Sequence, residues 1–181
     1  MLFDNFPTDI IGYHCRTSHA PQRYALGPAF LDWESQPDGF RRFADARQVV
    51  LPLRLNAATP AYAQLGNAPA QDLTADALGL FLELALGVSA WKEAEGTRWP
   101  LRNNPSSGNL HPTEGWVFLP ALDGIGDGPA LYHYAPSPHN LEERCRLETL
   151  PATLPDGAFL LALSSVPWRE SWKYGERAFR Y

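Results

Sequence analysis

Prolines divide this sequence into short segments and thereby limit the length of its helices and strands. The 181-residue chain contains 17 prolines, which concentrate outside the stretches of regular hydrophobic spacing. Proline fixes its own φ angle and lacks a backbone N–H, so it interrupts helix interiors and central strands. Near the N-terminus, Pro21, Pro28, Pro37 and Pro52 interrupt any long periodicity. We therefore expect short regular elements that are joined by long irregular connections.

The composition is typical of a globular protein without a nucleic-acid or membrane partner. Hydrophobic residues make up 45% of the chain and charged residues 19%, which argues against a disordered chain. The net charge is −5 and no Lys/Arg run stands out, so the basic patch of a nucleic-acid-binding protein is missing. The longest unbroken apolar run, Ala158 to Leu163, is far too short to cross a membrane.

The N-terminus and the cysteines both favour a cytoplasmic protein. The first residues lack the basic region and the long apolar core of a signal peptide. Cys15 and Cys145 do not form a disulfide framework, so we interpret them as reduced thiols. His14, Cys15 and His19 fit no established zinc spacing, and no metal site is predicted.

Hydrophobic spacing predicts a buried helix followed by a hairpin. Thr74 is the predicted N-cap of a helix that ends at Gly87, with apolar residues at helical spacing between the two. Strands are predicted over 115–119 and 130–134, and the Gly/Asp-rich loop 121–129 joins them as a hairpin.

The last quarter of the chain predicts a central strand and a helix. The apolar run from Ala158 to Leu163 is bounded by Gly157 and Ser164, which is typical of a strand covered on both faces. Pro167 is the predicted first residue of the helix. The residues expected to form one helix face are Trp168, Trp172, Gly175 and Phe179, and those expected to form an i,i+4 ion pair are Glu176 and Arg180.

The remaining segments are predicted to be mostly irregular. Residues 56–72 are interpreted as a linker and residues 88–103 as a connection. A short helix is expected near 39–46, and Leu141 is predicted to begin a short return strand. In the first part of the chain, Trp33 and Phe40 are expected to pack against the domain.

A short loop from Asn104 to Asn109 has the composition of a ligand cradle. Gly108 allows a sharp turn and a close approach of the backbone to a ligand, whereas Pro105 makes the loop rigid. The remaining residues offer hydroxyl and amide groups that can bond a flat polar heterocycle. Ordinary turns contain the same residue types, so composition alone leaves both interpretations open.

The residues around this loop resemble the nitroreductase superfamily, in the form of its SagB-type dehydrogenase branch. Residues 104–112, Asn-Pro-Ser-Ser-Gly-Asn-Leu-His-Pro, are similar to the flavin-contacting loop in which Pro-Ser-x-Gly-x-Leu-His/Tyr-Pro recurs. Lys173 and Tyr174 are similar to the start of the branch's Lys-Tyr-Gly-x-Arg motif. Further segments resemble the branch in the same order along the chain, namely 13–17, 23–25, 31–33, 36–42, 86–92, 131–134 and 168–181.

This resemblance implies an α+β fold in which helices flank a mixed or antiparallel sheet. Residues 1–55 would form an N-terminal extension rich in proline and aromatic residues, and residues 56–181 a partial FMN-binding domain. Tyr181 ends the chain inside a predicted helix without a capping residue. We therefore expect an N-terminal portion of a longer protein, with a fold that is incomplete at the C-terminus.

The resemblance also implies a redox function. Members of the superfamily bind FMN noncovalently, usually at a homodimer interface, and move two electrons as a hydride. The residues that would contact FMN by position are Arg102, Asn104, Pro105, Ser106, Ser107, Gly108, Asn109 and His111. Lys173 and Tyr174 would be the catalytic pair that transfers a proton, as in azoline oxidases. The residues alone also allow a solvated lysine beside a packed tyrosine.

The implied substrate is a small molecule or a peptide, with NAD(P)H as a candidate electron donor. The alternative is a non-catalytic, degenerate nitroreductase-like module that binds a partner subunit or a peptide. Residues 61–65, Ala-Tyr-Ala-Gln-Leu, favour this alternative, because they stand where the superfamily has an Arg-x-Ser phosphate motif.

Overall fold

A computed structural model describes residues 7–53, 60–151 and 153–181 of the chain. The predicted boundary between residues 55 and 56 lies outside these described residues. The described part of the predicted linker, 60–72, is exposed and contains one short 3-10 helix.

The described residues form two compact units, which we call the sheet unit and the loop unit. The sheet unit contains residues 40–105 and 113–165. The loop unit contains the described residues up to Gly39 together with 106–112 and 166–181.

Three α-helices and seven strands lie in the described part of the chain. In chain order they are α1 (Ile10–Thr17), β1 (Gln48–Val50), α2 (Ala75–Leu86), β2 (Val88–Ala94), β3 (Thr97–Arg102), β4 (Thr113–Leu119), β5 (Ala130–Ala135), β6 (Asn140–Arg146), β7 (Leu160–Ser165) and α3 (Pro167–Tyr174). Short 3-10 helices lie at Trp33–Ser35, Tyr62–Asn67, Ser107–Asn109 and Gly175–Arg180.

Five strands of the sheet unit form one antiparallel sheet in the order β1-β6-β5-β4-β7. The predicted hairpin is confirmed, since β4 pairs with β5 and places Gly115 opposite Tyr134. The predicted return strand is also confirmed, because β6 begins at Asn140 and pairs with β5. Together with the helices, this sheet confirms the predicted α+β class.

Helix α2 has the predicted boundaries. The Thr74 side chain accepts a hydrogen bond from the Ala77 backbone N–H at 3.1 Å and so caps the first turn. The helix ends at Gly87, where a Cβ atom would lie 2.4 Å from the Glu83 carbonyl oxygen. Between these caps, α2 contributes to one apolar core with the sheet, whose buried members are Val49, Leu51, Leu78, Leu82, Leu86, Val117, Leu119, Ile125, Ala130, Tyr132, Tyr134 and Leu141.

A buried polar network connects three neighbouring strands of the sheet. His133 on β5 lies 2.9 Å from Glu142 on β6 through Nδ1 and 2.8 Å from Glu114 on β4 through Nε2. A neutral imidazole carries a single N–H, so both contacts are hydrogen bonds only when one further proton is present on the imidazole or on a carboxyl. Polar side chains therefore connect β4, β5 and β6 in addition to their backbone pairing.

The prediction of a central strand from Ala158 to Leu163 is wrong. Strand β7 begins at Leu160 and lies at one end of the sheet order within the described chain, where it pairs with β4. Leu160 and Leu163 remain 39% and 60% exposed. A continuous apolar run indicates how many faces of a strand favour burial, but strand order depends on pairing with residues far away in the sequence.

Residues 88–103 are not an irregular connection, because most of them form the β2–β3 hairpin. Glu95 and Gly96 make its two-residue turn with φ angles of 52° and 77°, the backbone geometry that twisted hairpins favour. The sequence did not predict this hairpin because Pro100 lies within β3, and proline is uncommon inside strands. Proline is tolerated in β3 because, among the described strands, β3 pairs with β2 alone.

The two ends of the chain also differ from the predictions. No helix forms near 39–46, whereas α1 forms earlier and is capped by Asp9, whose side chain accepts from the Gly12 N–H at 2.8 Å. Helix α3 begins at Pro167 as predicted but ends at Tyr174, because Gly175 adopts a φ of 55° and stops the helix. A 3-10 helix follows.

The predicted pair of Glu176 and Arg180 is replaced by contacts to α1. Glu176 forms an ion pair with Arg16, and the Arg180 Nε donates to the Thr17 hydroxyl at 2.7 Å. The 3-10 geometry rotates the two side chains away from helical i,i+4 spacing.

Both cysteines are free and exposed. Across the described ranges, no three His, Cys, Asp or Glu side chains converge as metal ligands would. No helix among the described residues combines the length and hydropathy needed to cross a membrane.

We expect the Leu82→Ala substitution to destabilise the protein by about 2–5 kcal/mol, because it removes a fully buried side chain from the core. The free energy of unfolding by denaturant measures the effect. Leu84 lies on the same helix but is 56% exposed, so Leu84→Ala is the matched control and is expected to change stability by about 0.5 kcal/mol at most. Equal losses in both variants would contradict the assigned faces of α2.

Candidate functional site

The loop unit contains most of the residues that the resemblance assigns to a flavin site. Residues 106–111 and the pair Lys173 and Tyr174 all belong to it. The predicted contacts Arg102, Asn104 and Pro105 belong to the sheet unit. There, Arg102 is buried and its Nε donates to the Leu86 carbonyl at 3.2 Å, next to the C-terminal end of α2.

The loop from Ser106 to Pro112 has a backbone that few sequences can adopt. Gly108, Asn109 and His111 have φ angles of 64°, 60° and 50°, all in the left-handed region. Glycine enters this region freely and asparagine at a small cost, but histidine does so with strain. Such a conformation persists only where surrounding contacts impose it.

Hydrogen bonds impose this conformation from inside the loop. The Asn109 N–H donates to the Ser106 carbonyl at 3.1 Å, and the His111 N–H donates to the Ser106 hydroxyl oxygen at 3.0 Å. The His111 Nε2 lies 2.7 Å from the Asn109 side-chain oxygen and, when protonated, donates to it. Ser106 therefore organises the loop that follows it.

Helix α3 holds the same loop from outside. The buried guanidinium of Arg169 donates to the His111 carbonyl at 2.6 Å, and the Val166 N–H donates to the Pro112 carbonyl at 2.9 Å. A charged donor to a carbonyl makes a short, strong hydrogen bond. The start of α3 is thus fastened to the end of the loop.

Lys173 and Tyr174 lie directly over Gly108. A Cβ atom on Gly108 would be 2.7 Å from the Lys173 Cδ, 2.8 Å from the Tyr174 hydroxyl and 2.9 Å from the Lys173 Nζ. Any side chain at position 108 would have to displace these groups. The structure therefore brings the predicted catalytic pair onto the predicted flavin loop.

Tyr174 is held as a neutral phenol. Burial raises the pKa of its hydroxyl, the nearby charge of Glu170 also raises it, and a hydrogen bond with Ser107 opposes the rise. Its ring stacks on Tyr181, with centroids 4.1 Å apart. At neutral pH Tyr174 can therefore donate a hydrogen bond to a bound molecule.

Glu170 is a further candidate site residue, which the sequence motifs did not single out. It precedes Lys173 and Tyr174 by three and four positions, so the three side chains share one face of α3. The residue is only 2% exposed, with its Oε1 3.5 Å from the Ser106 hydroxyl. Its Oε2 has no hydrogen-bond partner among the described residues. Its spacing of three and four positions from Lys173 and Tyr174 is the sequence feature that could have identified Glu170.

Burial raises the pKa of the Glu170 carboxyl, while the Ser106 hydroxyl and the Lys173 charge oppose that rise. The carboxyl thus holds its proton to a higher pH than an exposed glutamate does. A titratable acid, an amine and a phenol therefore meet beside one glycine.

The N-terminal segment fixes α3 within the loop unit. The Trp172 indole N–H donates to the Asp32 carbonyl at 3.1 Å, and its ring packs edge-on against Trp33. The ion pair of Arg16 with Glu176 and the hydrogen bonds of Arg180 to α1 fasten the turn after α3. These contacts agree with the predicted packing role of Trp33.

The chain is similar in structure to a candidate nitroreductase from Anabaena variabilis ATCC 29413, with a TM-score of 0.67 and 22% sequence identity. The match covers 93% of the present chain and 34% of the Anabaena chain, so the present chain spans about a third of that length. No family model matches the sequence, and no curated protein matches it. The similarity shows that the chain has a nitroreductase-like α+β fold.

We expect Gly108→Ala to destabilise the protein by about 1–2 kcal/mol, the cost of a left-handed conformation for a residue with a Cβ. It should also displace the Lys173 and Tyr174 side chains, whose flexible ends meet the new methyl group. Denaturant unfolding measures the first effect. The second is visible in the side-chain NMR signal of Lys173, one of only two lysines in the chain.

Gly96→Ala is the control for this substitution. Gly96 has a φ of 77°, and among the described residues, its two chain neighbours aside, no atom lies within 4 Å of the place that its new methyl group would take. Gly96→Ala should therefore be destabilised only because alanine must adopt a left-handed backbone conformation. An unchanged Lys173 signal in Gly108→Ala would contradict the close approach of Lys173 to the loop.

Glu170→Gln is expected to change how stability depends on pH. Because the folded-state pKa of Glu170 is raised above its usual value of 4.5, the folded protein binds this proton more tightly than the unfolded chain does. The stabilisation is full at low pH and is lost as pH rises through the folded-state pKa. The variant has no carboxyl at this position and should not lose that stabilisation. The difference between its free energy of unfolding and that of the parent should therefore shift in favour of the variant as the pH rises above about 4.5.

Unfolding free energies measured from acid to neutral pH test this prediction. Glu148 is exposed, and Glu148→Gln should follow the parent at each pH. If Glu170→Gln followed the parent as well, the burial of a titrating carboxyl at position 170 would be refuted.

Proposed function

We propose that this protein is an FMN-dependent oxidoreductase of the nitroreductase superfamily, of the SagB-dehydrogenase type. It would transfer two electrons as a hydride between the flavin and a small-molecule or peptide substrate. The observation that carries the proposal is the convergence of Lys173 and Tyr174 on Gly108 in a chain with a nitroreductase-like fold.

The residues of the loop unit fit a flat, polar cofactor. Gly108 has no side chain where the loop meets the lysine and the phenol, so both groups lie directly against the loop that would hold the flavin. The hydroxyls of Ser106 and Ser107 and the amide of Asn109 are donors and acceptors of the kind that bind ring nitrogens and carbonyls. The proposed contacts at Arg102, Asn104, Pro105 and His111 rest on the family resemblance alone.

FMN, when bound, supplies the two-electron chemistry, and the chain supplies binding and proton transfer. Lys173, after it has released its own proton to solvent, would accept the proton that the substrate loses when hydride leaves a neighbouring atom. Tyr174, with its raised pKa, would remain protonated and donate a hydrogen bond to the reacting group. An azoline peptide is one substrate class that loses both a hydride and a proton.

The proposal includes a homodimer in the cytoplasm and NAD(P)H as a candidate electron donor. These features follow from the family resemblance. They define what a turnover assay should contain, namely purified protein, FMN, NAD(P)H and an acceptor.

A non-catalytic module that binds a partner subunit or a peptide is the second candidate. The observation that favours it is β7, which stands at one end of the described sheet with Leu160 and Leu163 exposed. A peptide can add to such a strand through backbone hydrogen bonds.

The visible absorption spectrum of the purified protein tests the first candidate, before and after it is incubated with FMN and washed. We expect a retained flavin spectrum that differs from that of free FMN. Gly108→Ala should lose the flavin and Gly96→Ala should keep it, because only the first variant fills the space beside Lys173. A well-folded protein that neither retains nor binds FMN would refute the proposal and favour the second candidate.

Lys173→Met and Tyr174→Phe separate binding from catalysis. Both variants should retain flavin but lose turnover by about 10²–10⁴-fold, the usual contribution of a positioned acid or base. Lys92→Met, in β2, is the matched lysine control and should retain turnover.

A further inference from the structure

Glu170 is the one buried carboxyl of the loop unit that the proposed chemistry leaves without a role, among the residues that the structure describes. Burial of a carboxyl is costly unless its oxygen atoms are bonded. Its Oε1 meets the Ser106 hydroxyl only at 3.5 Å, and its Oε2 has no partner in the described chain. A buried carboxyl whose oxygen atoms are incompletely bonded indicates that Glu170 has a function at this site.

The groups that face Glu170 are those of the proposed reaction. Lys173 lies one helical turn further along α3, and its positive charge acts on the carboxyl. Tyr174 follows, and the carboxyl acts on its phenol. From the loop, Ser106 faces the carboxyl with a hydroxyl whose oxygen already accepts the His111 N–H.

Ser106 connects the carboxyl to the flavin loop. Its single hydroxyl proton can reach either the Ser107 carbonyl at 3.3 Å or the Glu170 Oε1 at 3.5 Å. An ionised Glu170 attracts that proton, whereas a protonated Glu170 competes as a donor. The charge of the carboxyl therefore determines how the first hydroxyl of the loop is oriented.

We propose that Glu170 is a positioning residue that acts through Lys173 and Ser106 and stabilises the ammonium group formed when Lys173 accepts a proton from the substrate. This inference rests on the proposed function. In the proposed reaction the substrate would lose a hydride, for which oxidised FMN would supply the acceptor, and a proton, which would form an N–H bond at the Lys173 amine. Glu170 makes and breaks no covalent bond with the substrate. Its carboxylate balances the new positive charge until the proton passes to solvent.

The lysine signals test this coupling without the cofactor. The chain has two lysines, Lys92 and Lys173, so isotope labelling of lysine side chains gives two NMR signals. In the parent protein the Lys173 signal should show an inflection as Glu170 titrates, at a pH above the ordinary carboxyl range. Lys92, on β2 of the sheet unit, is the internal reference and should show none.

Glu170→Gln should abolish the inflection at Lys173, whereas Glu148→Gln should keep it. An inflection that persists in Glu170→Gln, or that is missing from the parent, would overturn the inference. Denaturant unfolding checks that Glu170→Gln is folded, so that a lost signal is not mistaken for a lost coupling.

Turnover then tests the role in the reaction. With FMN bound, Glu170→Gln should keep KM but lower kcat about tenfold, which corresponds to a coupling of roughly one pKa unit. It should also shift the pH profile of kcat, and Glu170→Asp should recover part of the rate. An unchanged kcat at every pH would overturn the inference. Failure of the parent to bind FMN would instead overturn the proposed function, which the lysine titration does not require.

Discussion

The absence of a side chain at Gly108 is the constraint on which the candidate site depends. The space that a Cβ would occupy lies within 3 Å of both Lys173 and Tyr174. The left-handed backbone at this position also favours glycine, so one residue satisfies a conformational and a steric requirement together. The hydrogen bonds of Arg169 and Val166 to the loop and of Trp172 to Asp32 hold α3 beside it.

Each unit has its own contacts between the segments that flank the loop. In the sheet unit, Thr113 at the start of β4 pairs with Ser165 at the end of β7. In the loop unit, the Val166 N–H donates to the Pro112 carbonyl, and Arg169 donates to the carbonyl of His111. Within the loop unit, the start of α3 is therefore fastened to the end of the loop.

Local sequence signals predicted the elements whose limits depend on neighbouring residues. The caps of α2 at Thr74 and Gly87 and the start of α3 at Pro167 were confirmed, because side-chain capping and proline geometry act within one turn. The β2–β3 hairpin was missed because Pro100 and the charged residues masked its alternation. The edge position of β7 was also missed, since an apolar run does not encode strand order.

The sequence by itself determined the chemical groups of the site: a glycine among hydroxyl and amide side chains, and a lysine beside a tyrosine. It also determined a helix that presents Glu170, Lys173 and Tyr174 on one face, because that spacing is a property of the helix alone. Only the tertiary structure decided that this face meets the loop and buries Glu170. The two segments are 64 positions apart at their contact, and their approach depends on the hydrogen bond from Arg169 to the His111 carbonyl and on packing against the N-terminal segment. Such long-range contacts are set by the folded chain as a whole, so no local pattern can specify them.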